Sequence, residues 1–501
     1  MITGISEVAA AVATLVACGF GVPVAFAAVS ALVVLAAVSA CCNLTAFSFS
    51  CCSLYAKLNL RFCQGRGEAM YASKEIEGFG PLSGVRVVEL AEWVAAPAAV
   101  RCLGEMGAEV IKVENPAGDP QRTQCYGFGG KRTEECDPTY ENVNANKDWI
   151  SLNLKTEEGM AIFMDLLSTA DVFVNGVRDR ALKRMGLDYE TLHEKFPRLI
   201  WAQMRGYGEF GEMRDEPGYD AVCWGSRGGV NAVFRQAGES PATAPQGFGD
   251  FNAAAIFAGG IVAALFDRTR TGVGNKVTTN LYHVALWGHS HGIQSRQFGA
   301  QYPGSRARAN NPFNNTYQSR DGVWFLICLP DYNRYFASMM QMLGLDELIE
   351  DDRITTLAAM AEHGLQEYVV SKIGEGYARK DYDEWDRIML EQEVPHQKLF
   401  DYDDILADEE AYDNDALRRY ESKDFGPRVF NTAPLRFGSY GDPPLVLGKP
   451  VGYHTERFLR DKGYSAEEIS ALEEKGAIRC WHGEDLDDIP VLRSKRDLAG
   501  E

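Results

Sequence analysis

The sequence predicts an α/β protein, with a parallel sheet flanked by helices and a smaller α+β unit set late in the chain. Three observations carry this expectation. Short apolar runs alternate with helical patterns from residue 85 onward. The first strand, helix and strand fit within about thirty residues, the span of a parallel βαβ unit. A stretch rich in Pro, Gly and Asn at residues 303–312 then separates this alternation from a more acidic segment.

Residues 85–90 (VRVVEL) read as the first strand, and residues 98–106 as a small-residue helix closed by Gly107. Residues 109–114 (EVIKVE) form a second strand, stopped by Asn115-Pro116. The crossover between them, residues 91–97, contains no glycine. A G-x-G-x-x-G turn is therefore missing where a dinucleotide would need it, and no phosphate-binding G-x-x-x-x-G-K-[ST] occurs, which weighs against NAD and ATP as cofactors. The alternation continues with strand 150–154, helix 156–169, strand 172–174, helix 180–185 ended by Gly186, and strand 199–204. Residues 267–274 read as a polar turn before the strand 276–280. Beyond the linker, 323–329 is a strand, acidic helices lie between 335 and 390, and 466–475 closes the chain as a helix.

Gln246-Gly247-Phe248-Gly249-Asp250 precedes a run from Phe251 to Phe266 without one charge. Such a run predicts a helix buried on nearly all sides, with Asp250 at its positive end. Asp250 is then either the helix cap, the commonest role of Asp there, or a catalytic carboxylate kept ionised by the amides beneath it and approached across Gly249. One residue can serve as both.

With a net charge of −20, the chain is a poor match for nucleic acid or for an anionic membrane surface. The hydrophobic fraction of 46% and charged fraction of 24% are those of an ordinary folded protein. The front end differs. No Asp, Glu, Lys or Arg occurs from Val8 to Ala56, and six of the twelve cysteines lie before Met70. Residues 8–42 are long and apolar enough to span a bilayer, and would then anchor the following domain on the cytoplasmic side. A cleaved signal peptide fits less well, because Glu7 and no Lys or Arg precedes the apolar run. The preferred reading is that residues 1–69 come from an upstream start site, with the natural protein opening at Met70. The remaining cysteines are scattered without C-x-x-C, consistent with a reducing cytoplasm.

Taken in order, Pro81-Leu82-Ser83-Gly84-Val85-Arg86-Val87-Val88-Glu89-Leu90, Gly107-Ala108-Glu109-Val110-Ile111-Lys112-Val113-Glu114, Gly249-Asp250, Asp267-Arg268-Thr269-Arg270-Thr271-Gly272 and Gly452-Tyr453-His454-Thr455 make the chain resemble the family III CoA-transferases, the group that includes formyl-CoA transferase and carnitine CoA-transferase. The resemblance runs from about Pro81 to about Ile478. It implies a Rossmann-like large domain from residues 70–300 and 425–501, a small domain from 301–424, and a homodimer of interlocked chains. It also implies Asp250 as the nucleophile and coenzyme A thioester as substrate, with no permanently bound cofactor and small-molecule acyl-CoA and carboxylic acid as the partners. By the same resemblance Trp93, Val94, Ala95, Leu152, Lys155 and Arg184 contact CoA. An Arg common in the family is Asn115 here, and Lys147 or Arg122 are the candidates to replace it.

The family also contains α-methylacyl-CoA racemases, which pair the Asp with a His. The matching residue is Tyr219 in Pro217-Gly218-Tyr219-Asp220, and with an unperturbed pKa of about 10 a tyrosine is a poor partner base. Asp220 either assists Asp250 electrostatically or caps the helix after it. No glycine-rich lid of the formyl-CoA transferase kind is present, against formate and oxalate as substrates. Trp224-Gly225-Ser226-Arg227-Gly228-Gly229, Leu281-Tyr282-His283 and Asn311-Pro312-Phe313-Asn314-Asn315-Thr316-Tyr317 resemble the transferases of anaerobic amino-acid fermentation, which act on 2-hydroxy acids and enoyl-CoA or acyl-CoA. His283, His289 and His291 lack the further ligands a metal site needs, so no metal is expected. A non-catalytic CoA-binding protein on the same fold is the alternative from another class, and the retained Asp250 speaks against it.

Overall fold

The structure, a computed structural model, describes residues 78–133, 137–484, 486 and 492–495. The chain divides into two units, 1–68 and 69–501, and every reading of the apolar front end falls outside the described residues.

Six parallel strands form the main sheet: β1 Arg86–Leu90, β2 Glu109–Glu114, β3 Asp148–Ser151, β4 Val172–Asn175, β5 Ile200–Arg205 and β6 Lys276–Asn280, in the order β3-β2-β1-β4-β5-β6. Val88 pairs in register with Ile111 on one side and Phe173 on the other. The central strands are apolar at successive positions because both faces are covered, as parallel sheets require. On one face Val87, Val110, Val172, Val174, Ile200 and Ala202 pack under two helices, α1 Ala95–Glu105 and α2 Phe248–Thr271. On the other, Val88, Ile111, Val113, Phe173 and Trp201 pack against the helix Glu157–Ser168 and against Phe458, Leu459, Ile469 and Leu472 from the chain's far end.

That far end is bonded into the sheet's edge. Trp149 N donates to His454 Nδ1 at 3.0 Å, Ser151 N to Thr455 Oγ1 at 2.9 Å, and Asn153 N to the Ala477 carbonyl at 2.8 Å. Burial pushes the His454 imidazole down to about 3, with Lys449 and Arg457 adding to the effect, so the ring is neutral and accepts the Trp149 amide. A separate antiparallel sheet of Asn314–Gln318, Trp324–Cys328 and His396–Lys398 has its own core, from Phe313 to Val394.

Three expectations need correction. Helix α1 begins at Ala95 rather than at residue 98, because Pro97 is tolerated in a first turn. Helix α2 runs through Asp267-Arg268-Thr269-Arg270-Thr271, read from sequence as a turn, and stops only at Gly272 in the left-handed region. Nor is α2 buried on nearly all sides: Ala253, Ala254, Phe257, Ala258 and Ile261 are buried, while Phe251, Ile256 and Phe266 are exposed in the single chain. Among the described residues α2 is long and apolar enough to cross a membrane, but its inner face is core.

Candidate active site

The strands run outward from β1 in both directions, so the connections reverse between β1 and β4. In open parallel sheets ligands settle outside the carboxyl ends of strands at such a reversal. A cavity of about 500 Å³ lies there, walled by residues 90–96 after β1, 152–155 after β3, 176–178 after β4, 203–206 at the end of β5, and 217–220. Asp250 stands in it.

Asp250 is the third residue of α2. The cap is Gly247, at a φ of 78°, and no side chain caps this helix. Capping is therefore not the role of Asp250. Its half-buried carboxyl is pushed up to about 8, first by burial and then by the charge of Asp220. The expectation that helix amides keep it ionised fails, because those amides point elsewhere: Gly249 N donates to Asp220 Oδ2 at 3.3 Å. Asp220 holds the N-cap position of the helical turn that follows it, Ala221–Arg227, but its side chain makes no capping bond there. Its carboxylate clamps the start of α2 instead, accepting the Gly249 amide, while burial raises its own pKa. Gly249 permits this approach. A Cβ on it would fall 2.2 Å from Asp220 Oδ1 and 2.3 Å from Trp224 Cγ.

Of the residues singled out from sequence, Trp93, Val94, Ala95, Leu152, Lys155, Tyr219, Asp220 and Asp250 all line the one cavity. Gly249 is buried behind Asp250. Trp93 and Tyr219 meet edge to face with ring centroids 5.4 Å apart. Arg184 is exposed in the last turn of Asp179–Met185 and is not in the wall, whereas the neighbouring Met185 is. Lys147 and Arg122 do not replace the missing arginine at Asn115. Lys147 is fully buried, paired with Glu89 and donating to the Pro97 carbonyl, and Arg122 is spent on Glu114 and Tyr140. Asn115 itself lines the cavity.

Sequence reasoning missed the basic residues that do line it: Arg178, Arg205 and Arg214. Arg205 is held by Asp179, while Arg178, Arg214 and Lys155 are exposed. Arg178 lies just after β4, and the preference of ligands for such reversal points was the signal that would have found it.

The sequence pattern of CoA-transferase family III matches residues 82–455. The chain is 37% identical over 400 residues to (R)-2-hydroxy-4-methylpentanoate CoA-transferase of Clostridioides difficile, covering 79% of this chain and 99% of that one. It is 38% identical over 394 residues to cinnamoyl-CoA:phenyllactate CoA-transferase of Clostridium sporogenes, covering 78% and 95%. A solved CAIB/BAIF family protein from Brucella suis superposes with a TM-score of 0.63 at 25% identity, over 76% of this chain and 99% of that one. A match that spans most of the chain, joined by relatives covered almost end to end, makes this protein a member of CoA-transferase family III.

Proposed function

We propose that this CoA-transferase exchanges coenzyme A between an acyl-CoA and a 2-hydroxy acid with an apolar side chain, and that Asp250 is its nucleophile. The observation that carries the reading is a half-buried carboxyl without a hydrogen bond that lowers its pKa, at the cavity where the sheet reverses. An Asp250 oxygen attacks the thioester carbonyl, and the C–S bond breaks to give a mixed anhydride and CoA thiolate. The thiolate attacks the aspartyl carbonyl, releasing the donor acid and leaving an aspartyl-CoA thioester. The acceptor carboxylate attacks that thioester, forming a second anhydride, and the expelled thiolate takes the acceptor acyl group and frees Asp250. Splitting one exchange into these steps is the advantage of covalent catalysis. Each anhydride needs a site that excludes water, which the apolar wall of Val94, Met204 and Leu281 supplies.

Both relatives named above act, by their names, on 2-hydroxy acids with branched or aromatic side chains. The Trp93–Tyr219 pair gives such a side chain an aromatic surface here, and Lys155, Arg178 and Arg214 give the CoA phosphates cations at the rim. The test is a panel of acyl-CoA donors with 2-hydroxy acids of graded side chain. Transfer to 2-hydroxy-4-methylpentanoate or phenyllactate well above that to lactate supports the assignment, and a preference for lactate or for dicarboxylates refutes it.

An ionised Asp250 is the reactive form, so the rate at low acyl-CoA concentration should rise with pH and level off above about 8. Asp220→Asn removes the neighbouring negative charge and should move that rise to lower pH. A profile that is flat between pH 6 and 9 in both proteins would count against the carboxylate as nucleophile.

We further propose that the enzyme is the interlocked homodimer of its family, with the large domain built from residues 70–300 and 425–501 and the small one from 301–424. The outer face of α2 supports this, with Phe266 64% exposed, as do Trp287 at 72% and Phe298 at 89%. Single chains seldom leave so much apolar surface to water. Light scattering and native mass spectrometry should find a dimer down to nanomolar concentration, and a folded monomer on dilution would contradict the threaded arrangement.

A further inference from the structure

The cavity rests on a buried line of charges that no step of the transfer uses. Lys112 on β2 pairs with Glu89 of β1 at 3.1 Å and with Asp119 Oδ2 at 3.0 Å, and Lys147 reaches Glu89 from the other side at 2.7 Å. Burial works against the charge on Lys112, but Glu89, Asp119 and Glu114 together hold its pKa above the ordinary value. Ion pairs this deep hardly offset their own desolvation, so stability alone is a weak reason for them.

The line ends at the active site. Asp119 Oδ1 accepts the Trp93 amide at 3.1 Å and the Gln121 amide at 2.9 Å. Trp93 has a φ of 69°. A bulky residue in the left-handed region is strained and stays there only when its surroundings hold it. Asp119, itself paired with Lys112, is the side chain that meets the amide of this residue. The turn so fixed sets the Trp93 indole edge-on to Tyr219. It also brings the next residue to α2: Val94 Cγ1 lies 3.8 Å from where a Cβ on Gly247 would stand. The strained peptide therefore joins the aromatic wall to the cap of the helix that carries Asp250.

We propose that Asp119 is a positioning residue of the transfer site, which holds the Trp93 peptide in its left-handed turn and thereby fixes the Trp93–Tyr219 wall against which the acyl group is aligned. The inference rests on the cavity being the acyl-CoA site. Asp119→Ala removes the acceptor of the Trp93 amide, and Asp119→Asn keeps an acceptor while losing the charge opposite Lys112. Loss of one such bond is worth a factor of about ten. Asp119→Ala should therefore raise KM for acyl-CoA about tenfold, with kcat changed much less. Asp119→Asn should keep KM near the wild-type value while its Tm falls.

Glycine adopts the left-handed region freely, so in a Trp93→Gly background the backbone needs no holding and Asp119→Ala should then shift KM by less than about twofold. An equal KM increase in both backgrounds, or an Asp119→Asn variant as impaired as Asp119→Ala, overturns the proposal. Should Asp119→Ala not fold, the Asn variant alone decides, with a wild-type KM in favour and a tenfold rise against. A crystal structure gives a reading independent of substrate: Trp93 leaving positive φ in Asp119→Ala supports positioning, and Trp93 keeping it refutes the idea. Failure of the wild-type enzyme to turn over any acyl-CoA would instead count against the assignment of the cavity, with the crystal structure still judging Asp119.

Discussion

Asp250→Asn is expected to lower CoA transfer by at least about 10⁴-fold, with the dimer and the fold unchanged. The substitution keeps shape and removes only the nucleophilic oxygen anion, so little else should move. Its effect on stability should be the reverse of its effect on rate. The Asp250 carboxyl has a folded pKa of about 8, above the value near 4 it takes in the unfolded chain. A group raised in this way favours the folded state fully below the unfolded pKa, and loses that contribution as pH climbs through the folded one. The wild type should accordingly lose stability between about pH 4 and 8, while the amide of the variant has nothing to ionise. The Tm difference in favour of the variant should be larger at pH 9 than at pH 5. Mass spectrometry after hydroxylamine or borohydride trapping should place the modification on Asp250 in the wild type and find none in the variant. Substantial turnover by a contaminant-free Asp250→Asn enzyme would remove Asp250 from the role.

Gly249→Ala should be the most damaging single-carbon change in the chain's active site. Its Cβ would stand 2.2 Å from Asp220 Oδ1 and 2.3 Å from Trp224 Cγ, distances that no real Cβ contact shows. Trp224 cannot yield easily, since it is buried and its ring meets Phe248 edge to face at 5.6 Å. The start of α2 must move instead, which breaks the bond from Gly249 N to Asp220 and displaces Asp250. Overpacking of this kind costs about 1–3 kcal/mol, and a misplacement of about 1 Å at a reacting group is worth roughly a hundredfold in rate. Thermal melts and kcat/KM measured on the same preparation check both. A Gly249→Ala enzyme with wild-type kcat/KM would mean that the α2 start is far softer than its contacts imply.

The strands were legible because their causes are local. Val87-Val88, Val110-Ile111 and Val172-Phe173-Val174 are apolar at consecutive positions, and when a helical period follows such a run, a strand covered on both faces is what produces it. Asp250 stood out because a Gly-Asp pair precedes a long uncharged run, but from the residues alone a helix cap was its commonest role, and the nucleophile came from the family resemblance. What the sequence concealed was what those residues touch. The clamp on α2 spans residues 220 and 249, the Trp93 amide is met by Asp119, and Lys147 finds Glu89. None of these pairs has a periodic spacing, so each became visible only when the fold brought its members together. The exposed outer face of α2 failed for the opposite reason: Phe251, Ile256 and Phe266 carry no mark distinguishing a face meant for the sheet from one left open in a single chain.

The docking of residues 454–478 onto the edge of the sheet also sets a timetable for the ribosome. The bond from Trp149 to His454 joins residues 305 positions apart. At about 5–20 residues per second, a nascent chain would carry the second face of its sheet only partly covered for roughly 15 to 60 seconds after Trp149 emerges. During that interval the cluster that holds Ile150 and Phe163 lacks Phe458 and Leu459. Premature termination anywhere before residue 454 should then yield insoluble fragments or chaperone-bound ones, and slower translation should lower the soluble yield of the full-length enzyme.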